Sequence, residues 1–184
     1  GINSFDVAEM YPVPPKPETC NATELIIGNW LKNKKREELI ISTKIAGPRR
    51  SIDWIRGGPK SLDEKNINEA VNNSLKRMKT DYVDLLYFHW PERNVPMFGQ
   101  YKFEPKDEYN NSKKIQWISI EEQLESLIKL VNDGKVRYIA LSNEHPWGVM
   151  EFIRIAKEKK LPLICSIQNS FSLINRIVEL GLTE

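Results

Sequence analysis

Five short apolar runs in this chain each stop at a side chain that can do chemistry. Ile2 to Phe5 stops at Asp6, and Leu39 to Thr43 stops at Lys44. The stretch DYVDLLYFHWP holds the third run, Val83 to Phe88. It ends at His89, which is followed by Trp90 and the strand-breaking Pro91. Val136 to Leu141 stops at Ser142 and Asn143, and Leu163 to Ile167 stops at Gln168. A carboxylate and an ammonium can hold each other in place, and a lysine in apolar surroundings can also form a Schiff base. An imidazole can move a proton near neutral pH. Hydroxyl and amide groups can orient a polar ligand. Structural readings compete with these. His89 could be a satisfied ring, Asp6 and Lys44 an ion pair, and Gln168 a partner for backbone groups.

The runs are short and bounded, as strands are, and the segments between them have helical spacing. Leu25, Ile26, Trp30 and Leu31 predict one helix, closed by Lys32 to Arg36. Ser61 to Glu64 reads as a capping box opening a second, with the stripe Ile67, Ala70, Val71, Leu75 and Met78. Ser119 to Glu122 reads as another box, before Ile120, Leu124, Leu127, Ile128 and Val131, and Asn132-Asp133-Gly134 stops that helix. Val149, Phe152, Ile153 and Ala156 mark a fourth helix. Leu173 to Leu182 predicts a fifth, opening near Asn175. The loop from Ala46 to Lys60 is rich in glycine and proline. A longer one, Arg93 to Trp117, carries Phe98, Tyr101, Phe103, Tyr109 and Trp117 and reads as a wall or lid over a pocket.

Strand and helix alternate, which predicts parallel strands joined by helical crossovers. A doubly wound sheet would carry a GxGxxG turn after a strand, and a nucleotide-binding P-loop would carry GxxxxGK[ST]; the sequence has neither. The expected fold is therefore α/β, a (β/α)8 TIM barrel with about five of its eight units present. In such a barrel the polar strand ends converge on one face.

The 184 residues suffice for one domain with a proper core. Net charge is +2 with both signs interspersed, and the basic runs Lys34-Lys35-Arg36 and Lys157, Lys159, Lys160 fall at expected helix ends. Neither nucleic acid nor a membrane is expected as a partner, and no apolar run approaches the length of a transmembrane helix. Cys20 and Cys165 form no CxxC pair and imply no disulfide or metal site. They suit a reducing, cytoplasmic setting, with Cys165 expected to be a small buried hydrophobe. The sequons at Asn21, Asn72 and Asn110 mean little without a signal peptide. Oligomeric state is not set by the sequence.

FDVAEMY, ISTK, DYVDLLYFHWP, GKVRYIALSN and IQNSFSLINR together resemble the aldo-keto reductases. VAEMYPVPP with the following ET resembles their Tas-type branch, close to the potassium-channel β-subunits. The resemblance covers nearly the whole chain in order. It implies one aldo-keto reductase domain over residues 1–184, incomplete at both ends and holding barrel strands 2 to 6. It implies a catalytic tetrad at Asp6, Tyr11, Lys44 and His89. Ser142, Asn143 and Gln168 would hold the nicotinamide carboxamide of NADPH, and Trp90 would lie beside a small carbonyl substrate. On that reading Tyr11 gives up a proton, Lys44 lowers its pKa, Asp6 holds Lys44, and His89 orients the carbonyl oxygen.

Tyr11, in a proline-rich loop, could instead simply pack. The resemblance also implies that the first barrel strand precedes Gly1 and the last two follow Glu184. Those strands would bring the aromatic that stacks on the nicotinamide and the basic residues for the 2′-phosphate. The 184-residue stretch alone is thus expected to bind cofactor weakly. Two other readings stay open: a cofactor-binding regulatory subunit with little turnover, and an aldolase using Lys44.

Overall fold

A computed structural model describes residues 1–48, 50, 52–58, 61–103 and 117–183. Among these, five strands form one parallel sheet in the order β1-β2-β3-β4-β5. They are β1 Ser4–Asp6, β2 Ile40–Ile45, β3 Val83–Phe88, β4 Val136–Ser142 and β5 Ser166–Gln168. The α-helices are α1 Ala22–Leu31, α2 Glu64–Met78, α3 Ile120–Asn132 and α4 Pro146–Lys159. Every neighbouring strand pair is parallel, in registers such as Ser42 with Leu85 and Leu86 with Ile139. The central strands read as almost continuous apolar runs because helices cover one face and the barrel interior the other. Ile41, Ile45, Leu86, Phe88, Ile139 and Leu141 bury against the stripes of α2, α3 and α4.

β1 and β5 are the two edges of this sheet. Laid flat, they would stand about 19 Å apart, at about 4.8 Å per strand spacing. Yet Gln168 on β5 donates from Nε2 to Oδ2 of Asp6 on β1 at 3.1 Å. The sheet must curl for that bond to form. It is half of a (β/α)8 barrel, and its strand ends face one mouth.

Helix ends follow local chemistry. Ser119 accepts from the Glu122 amide while Glu122 reaches back to the Ser119 amide, so the expected capping box opens α3. At α2 the expected box at Ser61 and Glu64 does not form. Asp63, adjacent to the first helical residue, caps instead by accepting from the Asn66 amide. A carboxylate directly at the N-cap reaches that amide without help, and Ser61 bonds the Asp63 carboxylate from outside.

Of the stripe expected for α1, Leu25, Ile26, Trp30 and Leu31, only Leu31 is buried. Leu25 and Ile26 are exposed, and the helix packs through Glu24, Gly28 and Leu31. Those residues lie four and three apart, which is one face of a helix. A Cβ built on Gly28 would stand 2.2 Å from the carbonyl oxygen of Arg77 and 2.7 Å from the Met78 Cα. The contact is backbone on backbone, so no side chain can move aside. Gly28→Ala is expected to destabilise the full-length protein by about 2 kcal/mol or more, read by urea denaturation. A loss under about 0.5 kcal/mol, inside the spread of ordinary surface substitutions, would show that α1 can lift from α2 freely.

The expected helix over Leu173 to Leu182 is replaced by an antiparallel bridge, Ser172 with Asn175, and a four-residue 3₁₀ turn, Ile177–Leu180. Leu173, Ile174 and Leu180 are almost fully exposed. An isolated turn with no packed face does not offset the cost of helix nucleation. Cys165 is exposed, not buried. It precedes the short edge strand β5 and no element covers it. No helix among the described residues is long and apolar enough to cross a membrane.

Candidate active site

Four of the polar residues expected beyond strand ends lie within the last two residues of their strands: Asp6, Lys44, Ser142 and Gln168. Gln168 is the last residue of β5, while His89 and Asn143 follow β3 and β4 directly. Side chains alternate along a strand. Thr43 therefore points outward to α1, where its hydroxyl meets Glu24. Lys44 points to the barrel interior, 1% exposed.

Lys44 forms an ion pair with Asp6 and donates to the Val7 carbonyl at 3.1 Å. Asp6 also accepts from Ser42 Oγ at 2.6 Å and from Gln168 Nε2. The Lys44 Nζ stands 4.7 Å from the centroid of the Tyr11 ring. Tyr11 and His89 meet edge to face, their centroids 5.4 Å apart. Asn143 donates from Nδ2 to the His89 carbonyl at 2.8 Å and to Ser142 Oγ at 3.1 Å, and Ser142 Oγ donates to the Gln168 carbonyl at 2.9 Å. The structure thus gathers Asp6, Tyr11, Lys44, His89, Ser142, Asn143 and Gln168 at one mouth. Tyr11, Arg50, His89, Phe98, Asn143 and Gln168 line a cavity of about 370 Å³ there.

Trp90 does not reach that cavity. It is 0% exposed, donates its indole N–H to the Pro48 carbonyl at 2.8 Å, and packs with Met10, Ala46, Ile52 and Ile55. The indole thus faces a second small core away from the cavity. In its place Phe98, from the aromatic loop, lines the cavity and meets Trp90 edge-on at 6.0 Å. Residues 104–116 of that loop, with Tyr109 and the sequon at Asn110, lie outside the described residues.

Electrostatics differ from expectation at Tyr11. Burial and the neighbouring Asp6 carboxylate push its phenol above the ordinary value. Lys44 was expected to pull it down, but that ammonium is committed to Asp6 and sits over the ring. Burial lowers Lys44 itself, with Asp6 opposing. His89 is pushed down to about 3, first by burial and then by Lys44 and Arg50, with Asp6 opposing. The ring is therefore neutral at physiological pH. Its Nδ1 is buried without a hydrogen-bond partner, as is Oδ1 of Asn169 at the same cavity.

Sequence reading passed over Glu9. This buried carboxylate accepts from the Ala46 amide at 2.6 Å and from Arg56 at 2.9 Å and 3.0 Å. It ties the loop carrying Tyr11 to the loop after β2. The available signal was a lone carboxylate among Val7, Ala8 and Met10, since a charge amid apolar residues is buried only when paired.

A curled parallel sheet with its polar side chains gathered at the strand C-termini is half of a (β/α)8 barrel. The model of the Aldo/keto reductase family matches residues 1–184. The chain is 46% identical to Protein tas of Escherichia coli (strain K12), over all of this chain and 52% of that protein. It is 38% identical to an aldo-keto reductase of Babesia bovis, over 80% of this chain and 52% of that one. A crystal structure of a thermostable aldo-keto reductase bound to the inhibitor epalrestat superposes with a TM-score of 0.64 at 27% identity, covering 96% of this chain and 47% of the other. The chain belongs to the aldo/keto reductase family, and it spans about half the length of the relatives it matches.

Proposed function

We propose that the full-length protein is an NADPH-dependent oxidoreductase that reduces aldehydes or ketones to alcohols, with Tyr11 as proton donor assisted by Lys44, Asp6 and His89. The observation that carries this is the meeting of the Tyr11 ring with Lys44 at 4.7 Å and with His89 at 5.4 Å, at the edge of one cavity. The cofactor-binding residues are Ser142, Asn143 and Gln168. They bring a hydroxyl and two amides to the cavity, and Asn169 adds an unpaired buried acceptor. A primary amide offers donors and an acceptor together, so this set fits a nicotinamide carboxamide. When bound, the reduced nicotinamide supplies a hydride to the carbonyl carbon.

The chain's own residues handle the oxygen. A neutral His89 donates one N–H to it and fixes its direction. Tyr11, kept protonated by its raised pKa, gives it a proton. The Lys44 ammonium then stabilises the phenolate left behind, and Asp6 keeps that ammonium in place. Two free thiols, Cys20 and Cys165, fit a reducing, cytoplasmic setting.

Oxidation of NADPH by the full-length protein with a panel of aldehydes and ketones tests the reading. Steady turnover is expected. Its pH profile should be flat from about pH 6 to 9, because His89 titrates near 3, far below that range. The rate should fall only as the Tyr11 phenol ionises, above its ordinary value of 10.0. Cofactor binding without turnover on any carbonyl would favour a regulatory subunit. Borohydride trapping of substrate on Lys44 would favour an aldolase.

A further inference from the structure

Among the described residues, every arginine but one is held in an ion pair. Among the described residues, Arg36 and Arg137 pair with Asp84, Arg56 with Glu9, Arg77 with Glu24, and Arg93 with Glu144. The exposed Arg154 and Arg176 are paired as well. Arg50 forms no ion pair with any described residue. Its guanidinium lies 4.3 Å from the centroid of Phe98 and 5.4 Å from that of Trp90, and it lines the same cavity as Tyr11 and His89.

Two rings hold this cation in one place without neutralising it. Aromatic faces attract a guanidinium and restrict its rotamers, while leaving its N–H donors free. A half-buried cation with no counter-ion among the described residues is costly unless something anionic pairs with it. Its donors form the fork that matches a carboxylate or phosphate. Burial holds its pKa below the ordinary arginine value, and its charge adds to the depression of His89.

We propose that Arg50 is a specificity-determining residue that recruits carbonyl substrates carrying an anionic group, carboxylate or phosphate. The inference rests on the reductase reading and names its substrate class. The anion pairs with the guanidinium at one end of the cavity while the carbonyl lies at the Tyr11 and His89 end. Phe98 holds the arginine and forms the wall between. No covalent step is involved.

The test compares matched charged and neutral substrates on the full-length protein. 4-Carboxybenzaldehyde and glyceraldehyde 3-phosphate supply the anions, with 4-methylbenzaldehyde and glyceraldehyde as neutral partners. The wild type is expected to prefer an anionic substrate by tenfold or more in kcat/KM. Arg50→Met should erase that preference, with the loss falling mainly on KM for the anionic substrates and much less on the neutral ones. Arg50→Lys should keep part of it. The carboxylate and phosphate pairs show which anion the site favours.

Calorimetric titration with benzoate, against benzamide, reads the same site without turnover. Binding of benzoate lost in Arg50→Met supports the anion site even where no carbonyl is reduced, in which case the reductase reading alone has failed. Equal preference in wild type and Arg50→Met overturns the proposal. So does benzoate binding that ignores the substitution, or an absence of benzoate binding. A matching loss of NADPH affinity in Arg50→Met would assign the cation to the cofactor and overturn it too.

Discussion

Tyr11→Phe in the full-length protein is expected to lower kcat/KM for carbonyl reduction by about 10³-fold, within the range of a lost general acid. The unfolding midpoint and the affinity for NADPH should stay where they are. The Tyr11 hydroxyl makes no hydrogen bond to a described residue, so removing it leaves no described partner unsatisfied. The ring keeps its edge contact with His89 and its place under the Lys44 ammonium. What disappears is the phenol that Tyr11 brings to the cavity. His89 cannot substitute, because burial holds it neutral and a neutral imidazole is a poor proton donor. Lys44 is occupied by Asp6 and the Val7 carbonyl. A residual rate within tenfold of wild type would mean that water or another group protonates the oxygen. Tyr11 would then be a packing residue, the plainer reading its proline-rich loop allows.

β3 and β4 were legible as short apolar runs closed by His89 and by Ser142 and Asn143, whereas β2 runs one residue past Lys44, and β1 and β5 are three-residue strands that begin two or three residues later than the expected runs and end on Asp6 and Gln168 themselves. Periodicity then found the buried stripe of α2, from Ile67 to Met78. It failed at α1 for a physical reason. Apolar spacing pointed to Leu25 and Ile26, but the buried face carries Glu24 and Gly28. A carboxylate and a glycine add nothing to a hydrophobic pattern. One is buried because Arg77 and Thr43 complete it, the other because a backbone passes there. Trp90 shows a related limit. The resemblance placed it beside the substrate, whereas its indole packs against Met10, Ala46, Ile52 and Ile55 and donates to the Pro48 carbonyl. Arg36 looked like part of a solvated basic helix end, yet it binds Asp84, Thr80 and the Leu39 and Tyr82 carbonyls. All of these but the Leu39 carbonyl lie more than forty residues away, and no local pattern encodes them. Tyr11 came from the resemblance alone, since a tyrosine in a loop has no periodic signature.

Glu24→Leu shows how that hidden layer supports the site. Glu24 is 0% exposed and bridges Thr43 Oγ1 and Arg77 Nε, each at 2.6 Å. Removing its carboxylate leaves a buried hydroxyl without its acceptor and a guanidinium without its counter-ion. The full-length protein is expected to lose about 3 kcal/mol in urea denaturation, the lower end for a broken buried pair, because Arg77 keeps 18% of its side-chain exposure. Glu24→Gln keeps an acceptor for Thr43 and should lose about half as much. Adding Arg77→Met to Glu24→Leu should recover most of the stability, since neither charge is then stranded. Activity gives a second reading of the same variants. Thr43 and Lys44 are adjacent on β2 with opposite faces, so a shift of the strand toward α1 moves the ammonium away from Tyr11 and Asp6. The single variant should lose kcat even under conditions where it is fully folded, and the double variant should regain stability before it regains kcat. If Glu24→Leu costs less than about 1 kcal/mol and leaves kcat intact, β2 is held by its strand pairing alone, and the position of Lys44 owes nothing to α1.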